Sequence, residues 1–195
     1  MTDEIRLKNY QLFKKKLNEL EIDTTVMDER FGTQITNATF AISNENNMAY
    51  DGSLLNTVLR ILTPYAIKIN TLLPEHIQVD QKSIIKVCLL SHISKALTFI
   101  PNDNQWEIEK RGMLYKYAKN EVALKMGMKS IFLAQEMGIP FTAQEMEAMT
   151  ILDRDPNDDQ AKFFASTLST IIKQANELTF LQIRNPKIEE EINHE

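Results

Sequence analysis

Apolar residues recur at three- and four-residue spacing along most of this chain, and that period predicts helices. Tyr10, Phe13, Leu17 and Leu20 form one stripe over 3–21, with lysines on the opposite face. Asp23 is placed to cap a second, short helix that ends near Gly32. The Asn- and Thr-rich stretch 33–50 reads as loop with one further turn of helix. Asp51-Gly52-Ser53 then signals a helix start, the Ser53 hydroxyl being suited to accept from an orphan amide. Leu54, Leu55, Val58, Leu59, Leu62, Ala66 and Ile69 carry that helix to about residue 72. Pro64 removes one backbone donor inside it and predicts a kink or a division, and Pro74 stops the segment.

Asp80 and Ser83 open the next helix, whose run SIIKVCLLSHISKAL is apolar nearly all round. A helix with no polar face belongs at the centre of a bundle. Residues 100–119 break the period: Trp106 and Ile108, then Met113, Tyr115 and Tyr117, alternate on either side of Arg111-Gly112 and suit a short β-hairpin. Helical spacing resumes over about 121–137, closed by Gly138 and Pro140. Thr142 with Glu145 forms a capping box for a helix running to about Leu152. An acidic stretch, 153–159, leads into a final helix over roughly 160–184, which Pro186 ends.

The expected fold is therefore all-α, a helical bundle with one short β-hairpin or loop excursion. N-terminal helices and a loop (1–50) pack on a core of 51–184, and a charged tail (185–195) follows. Composition supports one ordinary globular domain: 43% of the 195 residues are hydrophobic and 25% charged. Five Gly and six Pro are too few for a turn-rich β architecture. The N-terminus is too polar for a secretory signal, and no apolar run approaches the roughly 20 residues of a membrane span. The net charge of -5 does not suit a protein that neutralises phosphates, so nucleic acid is not an expected partner. Lys14-Lys15-Lys16 is followed by Glu19 and Glu21 and reads as a solvated helix face.

Candidate chemistry is sparse. The single Cys88 lies in an apolar run, which leaves no disulfide and no thiolate metal site and fits a reducing, cytoplasmic setting. Of three histidines, His76 and His194 fall in a loop and in the tail, and His92 alone occupies a core helix, where a hydrogen-bonded structural role suits it. A transition-metal site needs several ligands converging from ordered elements. Counted from Asp153, the acidic stretch places Asp158 and Phe164 where a calcium loop needs Gly and Glu, so it fails as a calcium site. Ser91 and His92 are adjacent, and neighbours on a helix point about 100° apart, so they make no catalytic dyad. The glycines are scattered singly and form no phosphate loop.

Three segments resemble the HD-domain family of metal-dependent phosphohydrolases. YDGSLLNTVLRI (50–61) is similar to the family's opening helix, KVCLLSHISKAL (86–97) to its LLHDIGK run, and IIKQANELT (171–179) to the late helix with its AD-x-L motif. The resemblance covers about two thirds of the chain. It implies a metal site, and the residues matching its ligand positions are Thr57, Ser91, His92 and Asn176; Ser94 matches the loop glycine and Lys95 the signature lysine. Thr, Ser and neutral Asn are poor ligands for a divalent cation. The resemblance thus implies an HD fold without HD chemistry, with neither metal nor cofactor, of the short kind met on phage genomes, acting in a host cytoplasm or a virion.

Function is then expected from protein–protein contact, with a protein partner or a second copy of the chain, possible in a phage structural or assembly role. Nine Met, five Tyr and one Trp supply contact residues, with Trp106, Tyr115 and Tyr117 as candidate interface anchors. One alternative is a residual phosphohydrolase acting on nucleotides or phosphoesters. Another is a nucleotide sensor in which Arg60, Lys95 and Lys173 meet phosphate.

Overall fold

The structure is a computed structural model that describes residues 1–119, 122–154 and 165–185. The fold is all-α, with a small two-stranded antiparallel sheet as its one β excursion among the described residues. Helix α1 (Asp3–Glu19) buries Tyr10, Phe13 and Leu17, the stripe its spacing predicts. Helix α2 (Thr25–Asn37) runs five residues past Gly32, because Phe31 and Ile35 continue an apolar face that packs inward. Asp23 accepts from the Thr25 amide at 2.9 Å and so serves the start of α2 from outside it. Residues 38–52 form the expected loop, with a single 3-10 turn at Asn44–Asn46.

The long helix expected over 54–72 is divided. Helix α3 (Ser53–Thr57) passes through one π-helical turn, Val58–Leu62, into α4 (Thr63–Leu72). Pro64 has no amide to give and its ring crowds the preceding turn. Widening that turn lets the Thr63 amide and hydroxyl both reach the Val58 carbonyl, the hydroxyl at 2.6 Å, so the disturbance is absorbed without an orphan group.

Helix α5 (Gln81–Leu90), capped by Asp80, is the central helix: Ile84, Val87, Cys88, Leu89 and Leu90 are all buried. It does not continue to residue 97. The chain turns over 91–94 and resumes as the short α6 (Lys95–Thr98). Polar groups made that break: the Ser91 hydroxyl and the Ser94 backbone and side chain are bonded locally or to α8 (Met126–Glu136).

Strand β1 (Phe99–Pro101) pairs antiparallel with β2 (Tyr115–Tyr117), Phe99 opposite Tyr117. The hairpin is therefore wider than the alternation around Arg111-Gly112 predicts. The intervening residues form helix α7 (Gln105–Arg111), whose Trp106 is 61% exposed and does not pack on the bundle. Gly112 ends α7 with φ +59, a backbone that disfavours other residues, and its carbonyl holds the Asn44 amide at 3.0 Å.

Helix α8 starts at Met126, later than its expected beginning near 121. The capping box of Thr142 and Glu145 is present and opens α9 (Ala143–Thr150), which passes into a 3-10 turn at Ile151–Asp153. The last helix among the described residues, α10 (Thr167–Arg184), starts at its Ser166 cap rather than near residue 160. The acidic stretch beyond Arg154 and the tail after Asn185 lie outside the described residues. Helix α10 packs on α4 and α9, α4 packs on α5, and α8 packs on α9, while α1 and α2 cover α3. A buried ion pair, Lys86 to Glu145 at 2.8 Å, ties α5 to the start of α9.

Two substitutions test this packing by denaturant unfolding. Leu89 is fully buried on α5, and Leu89→Ala is expected to cost about 2–5 kcal/mol. A loss below about 0.5 kcal/mol would remove α5 from the centre. Gly127 sits where α8 crosses the end of α9, and a Cβ there would lie 2.3 Å from the Met149 carbonyl oxygen. Gly127→Ala is expected to destabilise by about 1–3 kcal/mol through forced separation of the helices; an unchanged midpoint would contradict that crossing.

Candidate functional site

Two of the four positions that match HD ligands, His92 and Asn176, touch at the break between α5 and α6. His92 lies in the turn 91–94, and its Nε2 is 3.1 Å from Oδ1 of Asn176 on α10, both side chains being buried. Residues 84 positions apart are thus joined directly. The carbonyl oxygen of Asn176 can only accept, so the neutral imidazole donates through Nε2–H. The other two positions are committed elsewhere. Ser91 Oγ turns back to the Cys88 carbonyl at 3.5 Å, and Thr57 Oγ1 donates to Met48 Sδ at 3.6 Å. Both hydroxyls are buried.

Lys95 lies beside this pair and is 8% exposed. Its Nζ donates to the Phe40 carbonyl at 2.8 Å and stands 3.6 Å from the centroid of the Phe40 ring. The same ring meets His92 edge-on at 5.1 Å and Phe180 of α10 at 5.6 Å. Phe40 is the centre of the site. It enters from the loop 38–52, which polar bonds hold in place: the Phe40 amide donates to Ser53 Oγ at 2.8 Å, and Ser53 Oγ donates to the Met48 carbonyl at 2.6 Å. Thr39 Oγ1 adds a bond to the Ala41 carbonyl at 2.8 Å. Ser53 therefore serves this loop and not the amides of α3. Its burial distinguishes it from an ordinary helix cap.

The electrostatics follow from burial. Desolvation, the nearby Lys95 ammonium and the opposing bond to Asn176, in that order, set His92, which is pushed down to about 3. Desolvation pushes Lys95 down to about 7, against the pull of the ring face and carbonyl on its charged form. The Cys88 thiol is pushed up to about 12 by burial, so it stays protonated and weakly nucleophilic at neutral pH. The result is a site with a neutral imidazole, a neutral amide and an amine that is charged below about pH 7 and neutral above it.

Among the described residues, no group of three or more His, Cys, Asp or Glu side chains is placed to hold a metal ion. The three cations suggested for phosphate are committed to different surroundings. Lys95 is buried on Phe40, Arg60 donates to Asn9 of α1 at 3.1 Å, and Lys173 is exposed on α10. Tyr115 donates to Asp51 at 2.6 Å, which fastens β2 to the turn before α3 and raises its phenol above the usual range through burial and the Asp51 carboxylate. Tyr117 packs edge-on against Phe99 and is 61% exposed, as Trp106 is.

Sequence reasoning overlooked Phe40, Thr39 and the Ser94–Ser130 hydroxyl pair, at 2.9 Å, that joins the 91–94 turn to α8, and it gave Ser53 the role of a helix cap. A lone aromatic in the polar stretch NATFAIS was the available signal for Phe40. Comparison with models of known protein families, with curated proteins and with solved structures returned no match. No helix among the described residues is long and apolar enough to cross a membrane.

The burial of His92 and Lys95 fixes the pH dependence of stability. Unfolded, the imidazole takes up a proton near pH 6.5, whereas folded it resists until about 3. Stability is therefore lost as pH falls from about 6.5 toward 3, because the unfolded chain binds the proton more readily. Lys95 acts in the same direction at higher pH: the unfolded chain stays protonated to about 10.5 and the folded one only to about 7, so stability rises across that interval. Denaturation of Lys95→Met and His92→Gln is expected to show the first variant losing the neutral-to-alkaline rise and the second losing part of the acid slope. Parallel profiles for both variants and the parent would contradict the burial of these groups.

Proposed function

We propose that the chain is a non-catalytic helical protein, related in architecture to the HD-domain phosphohydrolases, that works through protein–protein contact. The observation that supports this reading most is the His92–Asn176 bond beside Lys95. A metal-activated water needs anionic or neutral donors converging on a cation. Here the imidazole spends its Nε2–H on an amide, carboxylates are missing from all four matched positions, and an ammonium stands next to the pair. While Lys95 is protonated, a second cation there would meet repulsion in a medium of low dielectric. The exposed Trp106 on α7 and Tyr117 on β2 suit contact with another protein. A phage structural or assembly role, in a host cytoplasm or a virion, follows from the resemblance rather than from geometry, and it belongs to this proposal.

The reading is tested by restoring the chemistry. Thr57→His, Ser91→His, His92→Asp and Asn176→Asp together are expected to create affinity for manganese or iron, measured by calorimetry and metal analysis, in a protein that has none. Each alone is expected to do little, since a cation with one strong ligand stays solvated. Stoichiometric metal in the parent protein, or turnover in a phosphodiesterase and nucleotidase screen, would overturn the non-catalytic reading. No gain of metal affinity by the fourfold variant, with its fold intact, would remove the relation to HD domains.

A further inference from the structure

Met48 joins two sets of hydrogen bonds in the loop 38–52. Its backbone carbonyl accepts from the Ser53 hydroxyl at 2.6 Å, the Thr39 hydroxyl at 3.1 Å and the Ala41 amide at 3.3 Å. Its sulfur accepts from two further hydroxyls, Thr57 Oγ1 and Tyr50 Oη, each at 3.6 Å. Among the described residues, Met48 is the one methionine whose sulfur receives two donors. The Thr57 hydroxyl is fully buried, and this thioether is its one side-chain hydrogen-bond partner among the described residues. A thioether is a weak acceptor, so a buried donor is left poorly matched. The Met48 side chain is half-buried and lines a groove with Ile61, Tyr65, Leu181 and Ile183. Leu181 is 59% exposed, so the groove opens to solvent.

One oxygen added to that sulfur would change the match. A sulfoxide is polar, and its oxygen accepts more strongly than the thioether it replaces and stands nearer to both hydroxyls. We propose that Met48 is a modification site, which takes one oxygen atom from a peroxide and holds the resulting sulfoxide on Thr57 and Tyr50. A sulfur lone pair takes the outer oxygen of hydrogen peroxide: the S–O bond forms and the O–O bond breaks. Sulfur is oxidised by two electrons and the peroxide is reduced. The proton on the transferred oxygen passes to the departing hydroxide, which leaves as water. Negative charge builds on the departing oxygen as the bond breaks, and hydroxyl donors already in place stabilise it. Methionine oxidation ordinarily disrupts the packing around it, because a polar group replaces an apolar one. Here two donors receive the new oxygen. The oxidised loop therefore stays fastened to α3 and keeps Phe40 seated on His92.

Peptide mapping by mass spectrometry, after timed exposure of the full chain to hydrogen peroxide, tests the site. Met113 and Met146 are also half-buried, and their sulfurs receive no hydroxyl donor among the described residues, so they set the ordinary rate. Met48 sulfoxide is expected to form about fivefold faster than theirs or more, and Tyr50→Phe and Thr57→Val are each expected to slow it about fivefold, the worth of one hydrogen bond. Tyr50→Phe removes a half-buried hydroxyl and keeps the ring, so it tests the site even where Thr57→Val does not fold. Thermal unfolding before and after oxidation gives a second readout, with the shift seen in Met48→Leu subtracted as the share of the other methionines. The oxidised parent is expected to unfold at or above the midpoint of the reduced parent, and oxidised Tyr50→Phe below that of its reduced form. A Met48 that oxidises no faster than Met113 and Met146, a rate unchanged in the variants, or a midpoint lowered equally in parent and Tyr50→Phe would each overturn the site. None of these readouts depends on metal affinity, so this site and the non-catalytic reading fail separately.

Discussion

A hydrogen bond between two neutral side chains, His92 and Asn176, holds the middle of this molecule together. It fastens the break in the central helix to the last helix across 84 residues. Both groups are buried, and a buried polar group without a partner would cost about 1–3 kcal/mol. Each satisfies the other. The break that places His92 is itself bonded to α8 through Ser94 and Ser130, so the turn 91–94 joins α5, α8 and α10.

The loop 38–52 completes the arrangement. Phe40 covers the pair with its ring edge to His92, and its other contacts reach Phe180 and Lys95. Lys95 is buried because the ring face and the Phe40 carbonyl replace part of its hydration. An ion pair with a carboxylate would have held the ammonium more firmly, and it would also have supplied an anion beside His92. The site has none. The proposed non-catalytic reading takes this arrangement as a fixed internal joint.

Much of the fold was legible in the sequence because helices that bury one face repeat their apolar residues at a fixed period. The stripe Tyr10, Phe13, Leu17 and the run of α5 behaved as that period requires. The capping box at Thr142 and Glu145 was equally local and equally readable. What failed was non-local. The stop of α5 at Leu90 depends on Ser130, 36 residues from Ser94, and the late end of α2 depends on what Phe31 and Ile35 pack against. Trp106 carried an ambiguous signal, since an aromatic residue reads the same whether it fills a core or faces water, and the structure leaves it 61% exposed. At the site, sequence placed His92 and Asn176 among the positions of interest but could not show them touching. Phe40 showed only as a lone aromatic between polar residues, since its importance comes from three elements that meet only in the folded chain.

The central claim is that His92 is a neutral structural donor and not a ligand. Nitrogen-15 NMR of the imidazole side chain tests it most directly. The account predicts that His92 keeps its Nε2–H tautomer from pH 8 down to pH 5, with shifts unmoved by zinc or manganese. An imidazole that titrates near its ordinary 6.5, or whose nitrogens shift on stoichiometric addition of zinc, would contradict it.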